Sequence, residues 1–535
     1  MRAGEIPPPA AILHRIEAEL AEIRFIHETT FPGHRLRLVV GWTDDPAGRD
    51  PHVDMGETPL DPHRFGPEHL GVLEAGLRDP AAPVVTATVH IPRAPTAAEL
   101  AGGGEIWTGR RRGARTLLGL SPLLFEEAKH RLERRYERRA RVLHSWQKIP
   151  RARTTLFRPP LRPAPEGTRP AAVIGFHWLE VGGAERLAFD CVDWALEAGL
   201  RVFVVADRRG IHRLADRLPE HADVHFVRID RYLPRRLWPI FMEHLAERER
   251  VRLVHIHHAT GLYDCLAHLK ALFPDVVTVD STHIREYADG GYPRVSGVWS
   301  SFLDVHHVIS HDLARHLGQV FTAGDKVRLG RLLDPAERAR RPAPFRLKPG
   351  QKTLRVAFVG RMVHQKRPVL VAVIMRRLVR LGRRMGVDVR FDAVGTGPYR
   401  PAFERLVARY GLGSRLRLHG ADADVGAILS EADVLLLPSA NEGLALVCYE
   451  AIRAGAMPIS TDVGAQAELI PPELLVDRAP IRAARETVAT IRRLLTDGAF
   501  RDAAAAGLLA RYEAIAAEPT AKEVLVPLYT RAAES

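Results

Sequence analysis

Cysteine is scarce, with three residues in a chain of 535, and no Cys-x-x-Cys pair occurs. Cys191, Cys265 and Cys448 lie far apart, each in an apolar stretch, which is the pattern of buried thiols rather than of a disulfide framework. No window approaches the ~18 uninterrupted apolar residues of a membrane-spanning helix. The start, MRAGEIPPPAAILHRIEAEL, lacks the continuous apolar stretch of a secretory signal. These absences lead us to expect a reducing, cytoplasmic setting.

Excess charge of one sign is equally localised. The formal net charge is +13, but residues 110–169 alone hold seventeen arginines and lysines against five acids. The rest of the chain is nearly neutral. Within that segment aromatics, Tyr136 and Trp146 among them, are too sparse for a base-stacking platform, which argues against nucleic acid as a partner. Apolar residues at 46% and charged residues at 26% are ordinary for folded protein. The length calls for several domains.

Residues 1–108 read as a small α+β unit, with Ile12, Ile16, Leu20 and Ile23 at helical spacing and strands at Leu36–Val40 and Val84–Ile91. The turn Gly102-Gly103-Gly104 closes it. Residues 109–168 follow as a basic helix and a proline-rich linker. Between Leu123 and Trp146, Phe125, Ala128, Leu132, Tyr136, Ala140 and Leu143 predict an apolar face with arginines opposite. A solvated linker, an anionic-membrane contact and packing on the N-terminal unit or a partner remain open for this helix.

From residue 169 the pattern changes to short β-branched runs alternating with helical stretches: AAVIGF, RVFVVA, DVHFV, RLVHIH, DVVTVD and VHHVIS. After the linker PAERARRPAPFRLKPGQK a second series begins, with LRVAFVG, VDVRFDAVG, RLRLHG, ADVLLLP and AMPIS. The fold class is therefore α/β, with two facing Rossmann-like domains at 169–340 and 341–518 and a helix at 519–535 packing back on the first. Such sheets bind ligands beyond the carboxyl ends of their strands, so a shared cleft can join a donor to an acceptor.

The stretch ADVLLLPSANEGLALVCYEAIRAGAMPIS is the most informative. Its strand ends at Pro438, and the spacing predicts a helix over Leu444–Ala454 capped by Gly455. The amides of Gly443, Leu444 and Ala445 at that helix start would suit a phosphate. Glu442 at the mouth and Glu450 two turns on would accept hydrogen bonds from a sugar hydroxyl and a ribose diol. Elsewhere, Gly182-Gly183 lets backbone approach a ligand closely, although it is not the G-x-G-x-x-G of a dinucleotide fold. In RLVHIHHATG, period two puts His255 and His257 on one face. A structural role for these histidines, or a zinc site with His283, competes with catalysis.

Pro-Ser-x-x-Glu-Gly followed by the second glutamate of E-x7-E resembles glycosyltransferase family 4 (the GT-B fold), over about residues 170–535. The resemblance implies that Glu442 contacts the donor sugar and Glu450 the ribose. It implies that Arg361 and Lys366, after Gly360, offset the charge of a diphosphate leaving group. Gly395 and Gly397 match its glycine-rich loop near the nucleotide, and Gly183 its first loop against donor phosphate or acceptor. His257 takes the place of the second histidine near the reacting centre.

The activity so implied is retaining transfer of a hexose from a nucleotide diphosphate sugar to a hydroxyl of a glycan or lipid-linked acceptor. No metal or other cofactor is expected. The enzyme would be cytoplasmic, with peripheral contact to anionic membrane through residues 123–146. A sugar-nucleotide epimerase or a phosphorylase of the same architecture is the alternative. Two positions depart from the family: VRLGRLLDP has Arg331 after Gly330 where Asn-Gly-x-Asp is common, and TDVGAQAELI keeps Gly464 and Glu468 but has Ala465 for a second glycine.

Overall fold

The computed structural model describes residues 9–56, 69–96, 99, 112–143, 164–180, 183–287, 290–333, 338 and 341–535. The Gly102-Gly103-Gly104 turn, Trp146, residues 144–163 of the predicted linker and Gly182 lie outside the described residues. Strands are β1 (Arg35–Thr43), β2 (His52–Met55), β3 (His69–Gly76), β4 (Val84–Pro92), β5 (Ala171–Phe176), β6 (Arg201–Ala206), β7 (Val224–Val227), β8 (Val251–His257) and β9 (Val277–Thr282). They continue with β10 (Val305–Val308), β11 (Val327–Leu329), β12 (Thr353–Val359), β13 (Asp388–Val394), β14 (Leu416–His419), β15 (Val434–Leu437), β16 (Met457–Thr461) and β17 (Leu475–Val476). The helices used below are α1 (Pro9–Thr30), α2 (Arg112–Leu120), α3 (Pro122–Leu143), α4 (Gly183–Glu197), α5 (Pro368–Met385), α6 (Leu446–Arg453), α7 (Pro480–Thr496), α8 (Gly498–Ala516) and α9 (Ala521–Glu534).

Two parallel sheets dominate, in the orders β7-β6-β5-β8-β9-β10-β11 and β14-β13-β12-β15-β16-β17. Their strands are apolar on both faces because helices cover both, and β5, for example, is buried at every position. Each is doubly wound, and its strand order reverses once: between β5 and β8 in the first, between β12 and β15 in the second. Those reversal points open crevices at the carboxyl ends of the strands.

The first unit is not independent. Its sheet, β2-β4-β1-β3, has β1 parallel to β4 and antiparallel to β3. Ile23, Ile26, Leu36 and Val85 share one core with Val173, Trp238, Phe241 and Leu262 of the first Rossmann domain. Arg228 fastens the join, donating to Glu22 at 2.7 Å and to Glu19 at 2.9 Å.

The chain passes between the Rossmann domains twice, and the two passages touch. Arg331 N–H donates to the Pro519 carbonyl and Ala521 N–H to the Arg331 carbonyl, both at 2.8 Å. Beyond the second passage α9, opened by a Thr520/Glu523 capping box, returns to the first domain. There Leu525 and Tyr529 are buried with Ile174 and Val204.

Helix α3 departs from its predicted orientation. Leu124, Leu132 and Tyr136 are exposed, at 52%, 59% and 56%, while Glu126, Glu127, His130 and Glu137 are buried. The physical reason is the surface it meets: the second Rossmann domain offers Arg478, His364 and the amide of Ile481 as partners for acids of this helix. Burying a charged side chain is tolerable where such partners wait.

Candidate functional site

At the reversal point of the second sheet two loops meet. One follows β12 and carries Gly360, Arg361 and Lys366; the other follows β15 and carries Glu442. Lys366 Nζ lies 2.5 Å from Glu442 Oε1, with both side chains largely buried. Arg361 is exposed and forms no ion pair among the described residues. Its charge acts across the cleft on Glu185 of α4, whose carboxyl is raised by burial and held back by Arg361.

The loop after β13 is seated against the first of these. Met362 N–H donates to the Thr396 carbonyl at 2.7 Å, and Tyr399 N–H to the Met362 carbonyl at 2.8 Å. Gly395 has φ +131°, and a Cβ there would collide with the Gly360 carbonyl. Gly395 and Gly397 thus serve the close approach of two loops, which gives them a structural reason independent of any ligand.

The predicted helix start needs correction. Helix α6 begins at Leu446, and the Ala445 N–H already donates to Gln466 Oε1 at 3.0 Å. Leu444 is buried in the domain core. Gly443 lies so close to the first domain that a Cβ would strike the His283 carbonyl. Of the three amides the Ala445 N–H is thus spent inside the fold, and the helix's own first donors are those of Leu446 and Val447. Glu442 sits in the loop at the mouth of the helix, and Glu450, on α6, lines a cleft with Arg341, Val425, Gly426 and Arg453.

From the first domain, the reversal point brings the loop after β5 and the end of β8. Gly183 is the first residue of α4. His257 is 2% exposed, and neither ring nitrogen has a hydrogen-bond partner among the described residues. Burial, reinforced by the neighbouring histidines, holds its pKa well below the ordinary value, so the ring is neutral. His283, its ring 6.4 Å from that of His257, is also unpartnered and pushed down to about 3 by burial.

His255 is already engaged, by the Tyr529 hydroxyl at 2.6 Å and Ser281 Oγ at 2.8 Å. Cys191, His255 and His257 lie near enough to share an ion. With both nitrogens of His255 in use and the Cys191 thiol pushed far up by burial, that trio suits a packed core better than a metal centre.

Domain closure joins residues that the sequence singled out, Gly464, Arg331 and Glu468, to others that it did not, Asn441, Tyr287 and Glu518. Asn441 Nδ2 donates to the Arg285 carbonyl at 3.0 Å, and Gly464 N–H to the Tyr287 hydroxyl at 2.6 Å. Arg331, the departure after Gly330, is 1% exposed and bonded to Glu468 at 2.7 Å and Glu518 at 2.5 Å. Its neighbour Glu468 was visible in the sequence; Glu518, from the second passage, carried no signal.

Residues 353–497 match the family model of glycosyl transferases group 1. One component of the human phosphatidylinositol N-acetylglucosaminyltransferase is 26% identical over 325 residues, which cover 57% of this chain and 64% of that protein. The alignment thus spans less than two thirds of the human relative. A 2-deoxystreptamine glucosyltransferase of Streptomyces kanamyceticus is 34% identical over 149 residues, 27% of this chain and 37% of its own. Among solved structures, a sucrose-phosphate synthase from Thermosynechococcus elongatus superposes with a TM-score of 0.49 at 20% identity, covering 68% of this chain and 98% of that one.

Proposed function

We propose, from the match of residues 353–497 to the model of glycosyl transferases group 1, that the protein moves a hexose from a nucleotide diphosphate sugar to an acceptor hydroxyl, with retention of anomeric configuration. The acceptor is a glycan or a lipid-linked sugar. The observation that carries this reading is the Lys366–Glu442 pair at the strand-order reversal of the second sheet.

Each group has a task that its chemistry suits. Glu442 accepts hydrogen bonds from donor-sugar hydroxyls and fixes the ring. Lys366, with Arg361 free in the cleft, meets the charge that grows on the diphosphate as the glycosidic bond breaks. A neutral His257 can accept or donate a hydrogen bond at the sugar without adding charge. Glu450, further along the same loop-and-helix segment, holds the ribose. With two fixed cations on the diphosphate no divalent ion is required, so activity should persist in EDTA.

A screen of nucleotide sugars, with and without glycan acceptors, tests the reading. Acceptor-dependent release of nucleotide diphosphate supports transfer. Conversion of donor without any acceptor would make the protein an epimerase, and consumption of inorganic phosphate with glycan breakdown a phosphorylase.

A further inference from the structure

The two loops that carry Lys366 and Glu442 are held from outside the Rossmann domains. Helix α3 turns a polar stripe, Glu126, Lys129, His130, Glu133 and Glu137, toward the second domain at three- and four-residue spacing. Lys129 Nζ donates to the Tyr399 hydroxyl at 2.8 Å, beside the glycine loop. Glu133 accepts from His364 Nε2, two residues before Lys366. Burial would raise the Glu133 carboxyl, but that bond and the charges of His364, Lys129 and Arg367 outweigh it and leave it below its ordinary value.

The longer relay runs through Glu137, which is 3% exposed. Its Oε1 accepts from Arg478 Nη2 at 2.7 Å, and Arg478 Nε donates to the carbonyl of Ala440 at 2.8 Å, two residues before Glu442. The same guanidinium lies 4.4 Å from the centre of the Tyr287 ring, on the loop of the first domain that receives Gly464. One arginine therefore fastens the Glu442 loop to the opposing domain, and one glutamate of α3 aims that arginine.

We propose that α3 is a working part of the donor site, and that Glu137, acting through Arg478, is the positioning residue for the loop that carries Glu442. A linker helix has no use for a desolvated carboxylate, because burying such a charge is costly unless its partner is fixed in place. The proposal rests on Glu442 as a donor-sugar contact, while its geometric content does not.

The test takes the full chain with Glu137→Gln, Arg478→Met, Arg478→Lys and the double variant Glu137→Gln/Arg478→Met. Each single loss should lower kcat about tenfold or more while donor KM changes less than about threefold, the signature of a site held out of register. Arg478→Lys, a charge without the planar fork, should recover only part of the rate. The double variant should be no worse than the worse single. Wild-type kcat in folded Glu137→Gln, or single effects that multiply, overturns the proposal.

Hydrogen exchange reads the same positioning without substrate. In Glu137→Gln the amides of 439–443 should exchange about tenfold faster while those of β12 and β13 keep their rates, as a local opening requires. Unchanged or uniformly faster exchange overturns the proposal. If the wild-type protein consumes no nucleotide sugar, the transfer reading falls alone and the exchange rates still decide the role of Glu137.

Discussion

Glu442 and Lys366 face each other in a partly desolvated pair, so a substitution at either leaves its partner uncompensated. Glu442→Ala should abolish nearly all transfer, and Glu442→Gln should do the same while keeping more of the thermal stability. Glu450→Ala should instead raise the donor KM, because Glu450 takes no part in that ion pair. Equal loss of nucleotide affinity in both variants with unchanged turnover would contradict this division, and calorimetric titration with nucleotide diphosphate measures it. Lys366→Ala should lower kcat by roughly a hundredfold, as when ~3 kcal/mol of leaving-group stabilisation is lost. Steady-state kinetics check it; Lys366→Arg should be an incomplete replacement, since guanidinium is larger and planar.

Among the elements, α3 shows where a periodicity argument stops. With its acids turned inward, the outward arc carries Leu124, Leu132 and Tyr136 among Arg131, Arg134, Arg135 and Arg138. Leu120, at the end of α2, adds a further exposed apolar side chain. An arc of this mixture suits an anionic lipid surface, where each basic residue contributes ~1 kcal/mol. The protein should therefore float with anionic vesicles at low salt, release at high salt, and lose binding when Arg134, Arg135 and Arg138 become Gln. Failure to float at any anionic lipid content removes the membrane contact and leaves α3 to its role on the donor domain.

The Rossmann strands were legible because burial on both faces forces apolar, β-branched runs. The face of α3 was not, because what a helix buries depends on a partner more than two hundred residues away. In the same way α6 starts at Leu446, with the Ala445 amide turned to Gln466 instead, and no local signal at Leu444 announces it. Strands β2 and β3 carry no such signal either. They are edge strands, and β3 alternates half-buried with exposed positions, so neither shows a sustained apolar run.

Across the whole molecule, buried neutral imidazoles gather in the first Rossmann domain and the unit fused to it. His27 and His307 are pushed down to about 4 and His283 to about 3 by burial, and burial likewise holds His255, His257 and His258 well below their ordinary value. A base whose folded pKa is depressed binds fewer protons than in the unfolded chain. Its stabilising contribution is present above about pH 6.5 and is lost as pH falls toward the folded values. Each such group gives up ~1.4 kcal/mol per pH unit in that window. Calorimetric scans should thus show the first domain melting progressively earlier from pH 6.5 to 4, ahead of the second. A Tm unchanged over that range would contradict the protonation account.

The paired passages at Arg331 and Thr520 have a consequence for synthesis on the ribosome. Domains generally fold as they emerge, the earlier one first. Here the first domain is missing α9, with Tyr529 beneath His255, until everything of the second has been made. A nascent chain arrested at residue 519 would hold a complete second domain and a first domain with an open flank, exposing Leu525's empty place against Ile174 and Val204. The domain begun first is the one completed last, so chaperone demand should peak late in translation rather than early.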